Sequence, residues 1–264
     1  MATLLMCPPT YYGIEYEINP WMSRLHAADP GLAQRQWDYL CRVLEDDCGA
    51  SLVLLEPQSG LPDLVFTANA GLVHDHGVIL SRFRFPVRSG EEPVFKAFFE
   101  THGLAVTTLP EDVFFEGAGD ALFCGERLFC GYHFRSEIRS HQLVGEALQR
   151  QVLSLMLTDS RFYHLDTCFC PLAPGRAVYY PGAFDDYARR VLEANVDDLI
   201  EVHDHDAERF GCNAVCVGDH AVVPAGCTRL VSDLAGRGYH VHSVELSEYL
   251  KAGGAAKCLT LRLD

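Results

Sequence analysis

A repeat of about 50 residues constrains this chain more than any other feature. At four places, short apolar strands pair across a glycine-containing turn. Leu64–Asn69 and Gly71–Val73 lead through a turn at Asp75–Gly77 to Val78–Leu80. Phe114–Asp120 and Ala121–Phe123 lead through Gly125–Arg127 to Leu128–Gly131. His164–Cys168 leads through Pro174–Arg176 to Ala177–Tyr180, and Cys212–Val217 leads through Gly218 and Asp219 to Ala221–Val223. Helical spacing follows each hairpin, over 91–102, 137–151, 184–195 and 228–237. A further strand follows each helix, over 104–108, 161–165, 199–203 and 239–244.

The hairpins begin near residues 64, 115, 165 and 212, and a fifth begins at Cys258, where alternation over Cys258–Leu263 predicts a strand. The chain ends there, so the partner must come from the N-terminal strand predicted at Leu4–Met6, which Pro8 and Pro9 close. A helix is expected over 30–48, with Leu32, Trp37, Leu40, Cys41 and Leu44 as its apolar face, then a short buried strand over 51–55. Pairing the two ends closes a ring of five strand–strand–helix–strand modules and removes exposed sheet edges. The expectation is one α/β domain over residues 1–264 with pseudo-fivefold symmetry.

In such a ring the start of each hairpin faces the centre. The side chains there are Asp63 and Asn69, Glu116 and Asp120, His164 and Asp166, Asn213, and Cys258. Each alone has a structural use, as a turn cap or a buried strand cysteine. Together they are costly to bury unless they form a network or meet a ligand. A thiol, an imidazole and several carboxylates are the ingredients of nucleophilic catalysis with acid–base help. The small residues Gly253–Ala256 let other groups approach the backbone next to Cys258.

Charge and cysteine usage narrow the partners. The formal net charge of −15 argues against nucleic acid and against an anionic membrane surface, and it suits a small cationic substrate. No run approaches the roughly 18 apolar residues of a membrane span. Eleven cysteines without a secretory signal point to free thiols in the cytoplasm. There is no Cys-x-x-Cys pair, Cys168/Cys170 and Cys212/Cys216 lack structural-zinc spacing, and His203/His205 and His240/His242 alternate as in strands. No metal and no cofactor are expected, and a homo-oligomer is compatible with the sequence.

Phe114–Asp120, His164–Thr167, the Asp63–Asn69 segment and the terminal Gly253–Cys258 resemble the guanidine-modifying (amidinotransferase) superfamily. That superfamily includes arginine deiminase, dimethylarginine dimethylaminohydrolase and glycine amidinotransferase. The resemblance spans nearly the whole chain and implies a five-bladed α/β propeller. It implies that Cys258 attacks the guanidinium carbon to give a thiouronium adduct, and that His164 protonates the leaving amine and then activates water. It further implies that Glu116 binds the guanidinium and supports His164, that Asp166 grips a second guanidinium nitrogen, and that Arg135 receives the substrate carboxylate. Arg88 is expected to assist, in preference to Arg82 or Arg84, and Asp120 and Asn213 complete the substrate-binding set. Bidentate carboxylates match a planar cation, and that cation favours the thiolate.

Three departures from arginine deiminases resemble the arginine dihydrolase branch, the catalytic domain of cyanobacterial arginine-guanidine-removing enzymes. Phe66–Asn69 ends in asparagine where deiminases carry aspartate, Glu116–Asp120 holds one extra residue, and the loop Glu15–Met22 is atypical. This branch takes arginine to ornithine, carbon dioxide and two ammonia. An amide at Asn69, helped by Asn19, can donate to the ureido oxygen of citrulline and so permit a second hydrolysis. The alternatives are a deiminase that stops at citrulline, a dimethylarginine dimethylaminohydrolase, an amidino transferase, or a non-enzymatic translation factor of the same fold. The retained Cys258, His164 and Glu116 and the negative charge speak against the last.

Overall fold

The structure is a computed structural model, and it describes residues 2–75 and 77–264. Met1 and His76 lie outside these, and with His76 the middle of the predicted turn at 75–77. Fifteen short strands form five three-stranded sheets among the described residues. In chain order, β1 (Thr3–Met6), α1 (Pro30–Arg42) and β2 (Ser51–Leu54) come first. Then follow β3 (Gly71–His74), β4 (Gly77–Leu80), α2 (Glu91–Thr101) and β5 (Ala105–Thr107). The next group is β6 (Ala121–Cys124), β7 (Arg127–Tyr132), α3 (Ile138–Leu148) and β8 (Val152–Met156). After it come β9 (Phe169–Ala173), β10 (Arg176–Tyr179), α4 (Asp186–Asn195) and β11 (Asp198–Glu201). The short α5 (Asp204–Ala207) leads to β12 (Val215–Val217), β13 (His220–Pro224), α6 (Thr228–Ala235) and β14 (His240–Val244), and α7 (Ser247–Leu250) to β15 (Leu261–Arg262).

Each sheet has the same wiring. An antiparallel hairpin is followed by a helix, and the third strand returns parallel to the second, as in β6–β7 and β7–β8. The sheet built from the two chain ends keeps this pattern. β15 runs antiparallel to β1, with Leu4 opposite Arg262 and Leu5 opposite Leu261, and β1 runs parallel to β2. The predicted joining of the ends is therefore present. Apolar clusters link successive sheets: Leu72 and Ile79 pack with Ala121 and Leu128, and Phe129 with Phe169 and Val223. Val222 packs with Leu4 and Met6, and Leu5 with Val78 and Leu80, so the last sheet also meets the first. Helix α1 starts at Pro30 behind an Asp29 side chain that accepts from the Leu32 N–H, and it buries Trp37, Leu40 and Cys41.

The structure corrects four of the local expectations. The strand expected at 161–165 is absent; β8 forms at Val152–Met156, because Gln149 takes a left-handed conformation (φ 51°) that ends α3 early. The strand after α1 is not buried, since Ser51 and Leu54 of β2 are exposed at a sheet edge. The hairpins do not start where the polar residues lie. Tight 3₁₀ turns occupy Pro62–Val65, Thr67–Ala70, Gly117–Gly119 and Leu165–Thr167, and the strands begin only after them. Cys258 likewise sits in a turn, where Leu259 N–H donates to Ala255 O and Thr260 N–H to Lys257 O. Strand pairing would commit these backbone groups to a ladder; in turns they remain available to side chains. Among the described residues no helix is long and apolar enough to cross a membrane.

Candidate active site

The turns ahead of the hairpins bring Asn69, Glu116, His164, Asp166, Asn213 and Cys258 together, each at most 2% exposed. Around Cys258 the organising residue is Asn213. Its Oδ1 accepts from the backbone N–H groups of Ala255 (2.9 Å) and Cys258 (3.1 Å), which bends the terminal segment into its turn. Its Nδ2 donates to the Cys258 sulfur at 3.1 Å and to the Asp166 carbonyl at 3.0 Å. The sulfur lies 3.4 Å from Asp166 Oδ2. Gly254 must be glycine here, because a Cβ would stand 2.7 Å from the Phe66 ring and 3.2 Å from the Cys258 Cβ.

Burial pushes the Cys258 thiol well above its ordinary value, and the Asp166 charge pushes it further, against the opposing hydrogen bonds from Ala255 and Asn213. Asp166 is itself raised to about 6, chiefly by burial, with Lys257 and the hydrogen bonds from Cys258 and Asn213 pulling the other way. An approaching cation reverses the balance at the sulfur and favours the thiolate.

A second group is built on Glu116. Its Oε2 accepts from His164 Nε2 at 2.7 Å and from Arg135 Nη1 at 3.1 Å. Burial works against its charge, but Arg135 and His164 outweigh burial and hold its carboxyl well below the usual carboxylate range. A carboxylate only accepts, so His164 Nε2 carries a proton. Nδ1, buried without a partner among the described residues, is the ring nitrogen left for proton exchange. The Arg135 guanidinium lies over the rings of Phe85 and Tyr163 and donates to the Ile18 carbonyl. Asp120 faces away from this chemistry: Oδ2 accepts from the Ser136 hydroxyl and N–H, and Oδ1 from the Leu165 N–H, which fixes the turn that carries His164.

The third group surrounds Asn69. Arg88 Nη1 donates to Asn69 Oδ1 at 3.0 Å, while Nε and Nη2 grip both oxygens of Glu91 at 2.8 and 2.7 Å. A guanidinium only donates, so the amide orientation is forced: Asn69 Nδ2 faces the Glu116 carbonyl at 3.3 Å and keeps a second N–H. A Cβ on Gly119 would collide with Asn69 Nδ2, which explains a glycine at that point of Glu116–Asp120. The Asp63 carboxylate is 3.7 Å from Arg88, and its Oδ1 has no hydrogen-bond partner among the described residues.

A small cavity of about 10 Å³ is lined by Asn19, Asp63, Asn69, Arg88, Arg135 and Cys258, among others, while Glu116, His164 and Asp166 are not part of its lining. Asn19 lies at its rim, but its amide serves the loops, donating to Ala252 O and accepting from the Trp21 and Met22 N–H groups. Arg88 is the arginine of its segment that reaches the cavity; Arg82 pairs with Glu92, and Arg84 donates to the Arg135 carbonyl. A larger space of about 340 Å³, lined by Leu72, Leu122, Phe169, Val215, Leu261 and Lys257 among others, holds the Cys170 and Cys216 thiols and the Asp264 carboxylate but no imidazole. Sequence reasoning did not assign a role to Asp63 or Tyr163 at the cavity wall, or to Glu91, which grips Arg88 behind it. An acidic residue three positions after a buried arginine was the available signal for Glu91.

Residues 31–263 match the family described as N,N dimethylarginine dimethylhydrolase, eukaryotic. The chain is 50% identical over 265 residues to the bifunctional arginine dihydrolase/ornithine cyclodeaminase ArgZ of Synechocystis, covering 98% of this chain and 37% of that protein. It is 40% identical over 259 residues to the N(G),N(G)-dimethylarginine dimethylaminohydrolase of Mycobacterium tuberculosis, covering 98% of this chain and 84% of the relative. Among solved structures, the N-terminal domain of the cyanobacterial ArgZ, a Cys-to-Ser mutant bound to substrate, superposes with a TM-score of 0.96 at 48% identity, over 100% of this chain and 98% of that one. The chain thus spans little more than a third of the bifunctional relatives and most of the single-function one. On this match the chain belongs to the dimethylarginine dimethylaminohydrolase family of guanidine-modifying enzymes.

Proposed function

We propose that residues 1–264 form one five-bladed α/β propeller domain that hydrolyses the guanidino group of L-arginine to ornithine, carbon dioxide and two ammonia. The five like-wired sheets and the packing of the last against the first support the propeller. The likeness to ArgZ supports the dihydrolase. The observation that carries the reading is the convergence of the Cys258 sulfur, Asp166 and the oriented Asn69 amide on one buried site.

In this reading the guanidinium enters between Asp166 and Glu116, its charge favours the thiolate, and the Cys258 proton passes to His164 Nδ1. The thiolate adds to the guanidinium carbon, Asn213 steadies the sulfur, and His164 Nδ1 gives a proton to the departing ammonia. The resulting thiouronium is hydrolysed by a water that the same nitrogen deprotonates. Arg135 and Arg88, which both line the cavity, take the substrate carboxylate, Asn19 closes the rim, and Asp120 positions His164 through Leu165. Citrulline stays because Asn69 offers its second N–H to the ureido oxygen, where an aspartate would repel it. A second attack then releases the second ammonia, and a second water releases ornithine and carbon dioxide. The proposal calls on no cofactor or metal for this reaction, and a cytoplasmic setting suits its buried thiols.

The match to dimethylarginine hydrolases supports a second reading, in which methylated arginine is the substrate and citrulline the product. Incubation with L-arginine, with ornithine, citrulline and ammonia assayed together, separates them. Ornithine with two ammonia per arginine supports the dihydrolase. Citrulline with one ammonia, or turnover of dimethylarginine alone, overturns it.

A further inference from the structure

Cys48, His220 and His242 form a cluster away from the catalytic cavity. Cys48 follows the π-helical end of α1, His220 opens β13, and His242 lies in the middle of β14. Their ligand atoms all lie within 4.8 Å of one another. His220 Nδ1 and His242 Nε2 approach to 2.9 Å, with the two ring planes only 8° apart. Two imidazole nitrogens aimed at one point either share a proton or share an ion.

What lies behind each ring distinguishes the two. The other nitrogen of His242, Nδ1, stands 3.7 Å from Asp47 Oδ2, and that of His220, Nε2, stands 3.7 Å from Asp219 Oδ1. A lone His–His hydrogen bond needs one carboxylate at most. Two histidines that each turn one nitrogen to a centre, with a carboxylate 3.7 Å from the other, come close to the arrangement that orients metal-bound imidazoles. The third ligand is a buried thiol, and the His220 and His242 side chains remain 27% and 22% exposed, which leaves an entry path.

We propose that Cys48, His220 and His242 bind a borderline-soft divalent cation of the zinc type, with water in the fourth position. One sulfur and two imidazole nitrogens suit such an ion, at about 2.3 Å for sulfur and about 2.0–2.1 Å for nitrogen. The rings need to part by only a few tenths of an ångström, since nitrogens around a tetrahedral ion sit about 3.3 Å apart. On binding, the Cys48 thiol releases its proton to solvent. The ion then ties the end of α1 to the β12–β14 sheet, a link between residues far apart in the chain, and this site is independent of the reaction proposed above.

Cobalt(II) titration of the full chain carrying Cys258→Ser tests this, because that variant lacks the active-site thiol. The expected result is one cobalt per chain with a thiolate-to-cobalt charge-transfer band, lost on adding Cys48→Ser. In the wild-type background, zinc should raise the melting temperature, and His242→Ala should remove that rise while arginine turnover stays within twofold. The His242→Ala arm decides the matter if Cys48→Ser does not fold. A titration without the charge-transfer band, or a band and a zinc-induced rise that survive both substitutions, overturns the proposal.

Discussion

The amide of Asn213 holds Cys258 at two points: Oδ1 accepts the Cys258 backbone N–H at 3.1 Å, and Nδ2 donates to its sulfur at 3.1 Å. One side chain therefore sets both the turn and the position of the thiol. Asn213→Ala should lower kcat by about 10²-fold, the loss typical of removing one well-placed donor. Asn213→Asp should lose more, since a carboxylate there would face the sulfur and Asp166 together. Alkylation of Cys258 by iodoacetamide as a function of pH checks the cause: the thiol should titrate higher in both variants. An unchanged profile would make Asn213 a scaffold only.

Cys258→Ser should reduce ornithine formation by at least about 10³-fold, as expected when a nucleophile is removed. The serine fits the same volume, so the thermal unfolding curve should move little. Activity within tenfold of wild type would place the nucleophile elsewhere.

Asn69→Asp should convert the product from ornithine to citrulline with one ammonia. The new carboxylate would still be met by Arg88, which donates to Asn69 Oδ1 at 3.0 Å, but it has no N–H for a ureido oxygen. Gly119→Ala should act in the same direction, because its Cβ displaces the Asn69 amide. Undiminished ornithine from either variant would remove Asn69 from the second step.

Activity should fall on the acid side as Asp166 takes up a proton near pH 6 and can no longer grip a cation. The sign follows from the direction: a raised carboxyl is ionised above about 6 and neutral below. Asp120 is raised to about 6 as well, chiefly by burial, so Asp120→Asn is the control. The acid limb of kcat/KM should persist in that variant. Its disappearance would assign the limb to Asp120 instead.

Glu91→Ala should be the most destabilising of these substitutions. It leaves the Arg88 guanidinium, 3% exposed, without the partner that holds it by two hydrogen bonds. Breaking a buried pair in this way costs about 3–5 kcal/mol. Urea unfolding followed by circular dichroism measures it, and a loss under about 1 kcal/mol would mean that Asp63 and Asn69 suffice to satisfy Arg88.

Much of the architecture was legible along the chain. The alternating strands and glycine turns repeat every 50 residues or so, and the pairing of Leu4 and Leu5 with Arg262 and Leu261 follows from a fifth hairpin that lacks a second strand. Local periodicity carries this information because strand and helix patterns are properties of neighbouring residues. Asn69, Glu116, His164, Asp166, Asn213 and Cys258 were legible for the same reason, since each stands near one point of the repeat, whereas Tyr163 at the cavity wall was not.

Their geometry was not. Cys258 was expected to open a strand and stands in a turn instead, because Asn213, 45 residues earlier, takes the backbone N–H groups that a strand would pair. Asp120 belongs to the motif of Glu116, yet its oxygens go to Ser136 and Leu165. The Arg88–Glu91 fork behind Asn69 and the meeting of Cys48 with His220 and His242 join parts of the chain that no spacing rule connects. The sequence alone determined which residue types recur and in what order. Only the tertiary structure decided which polar atoms face each other, because a buried donor or acceptor takes whichever partner the packing brings within about 3 Å.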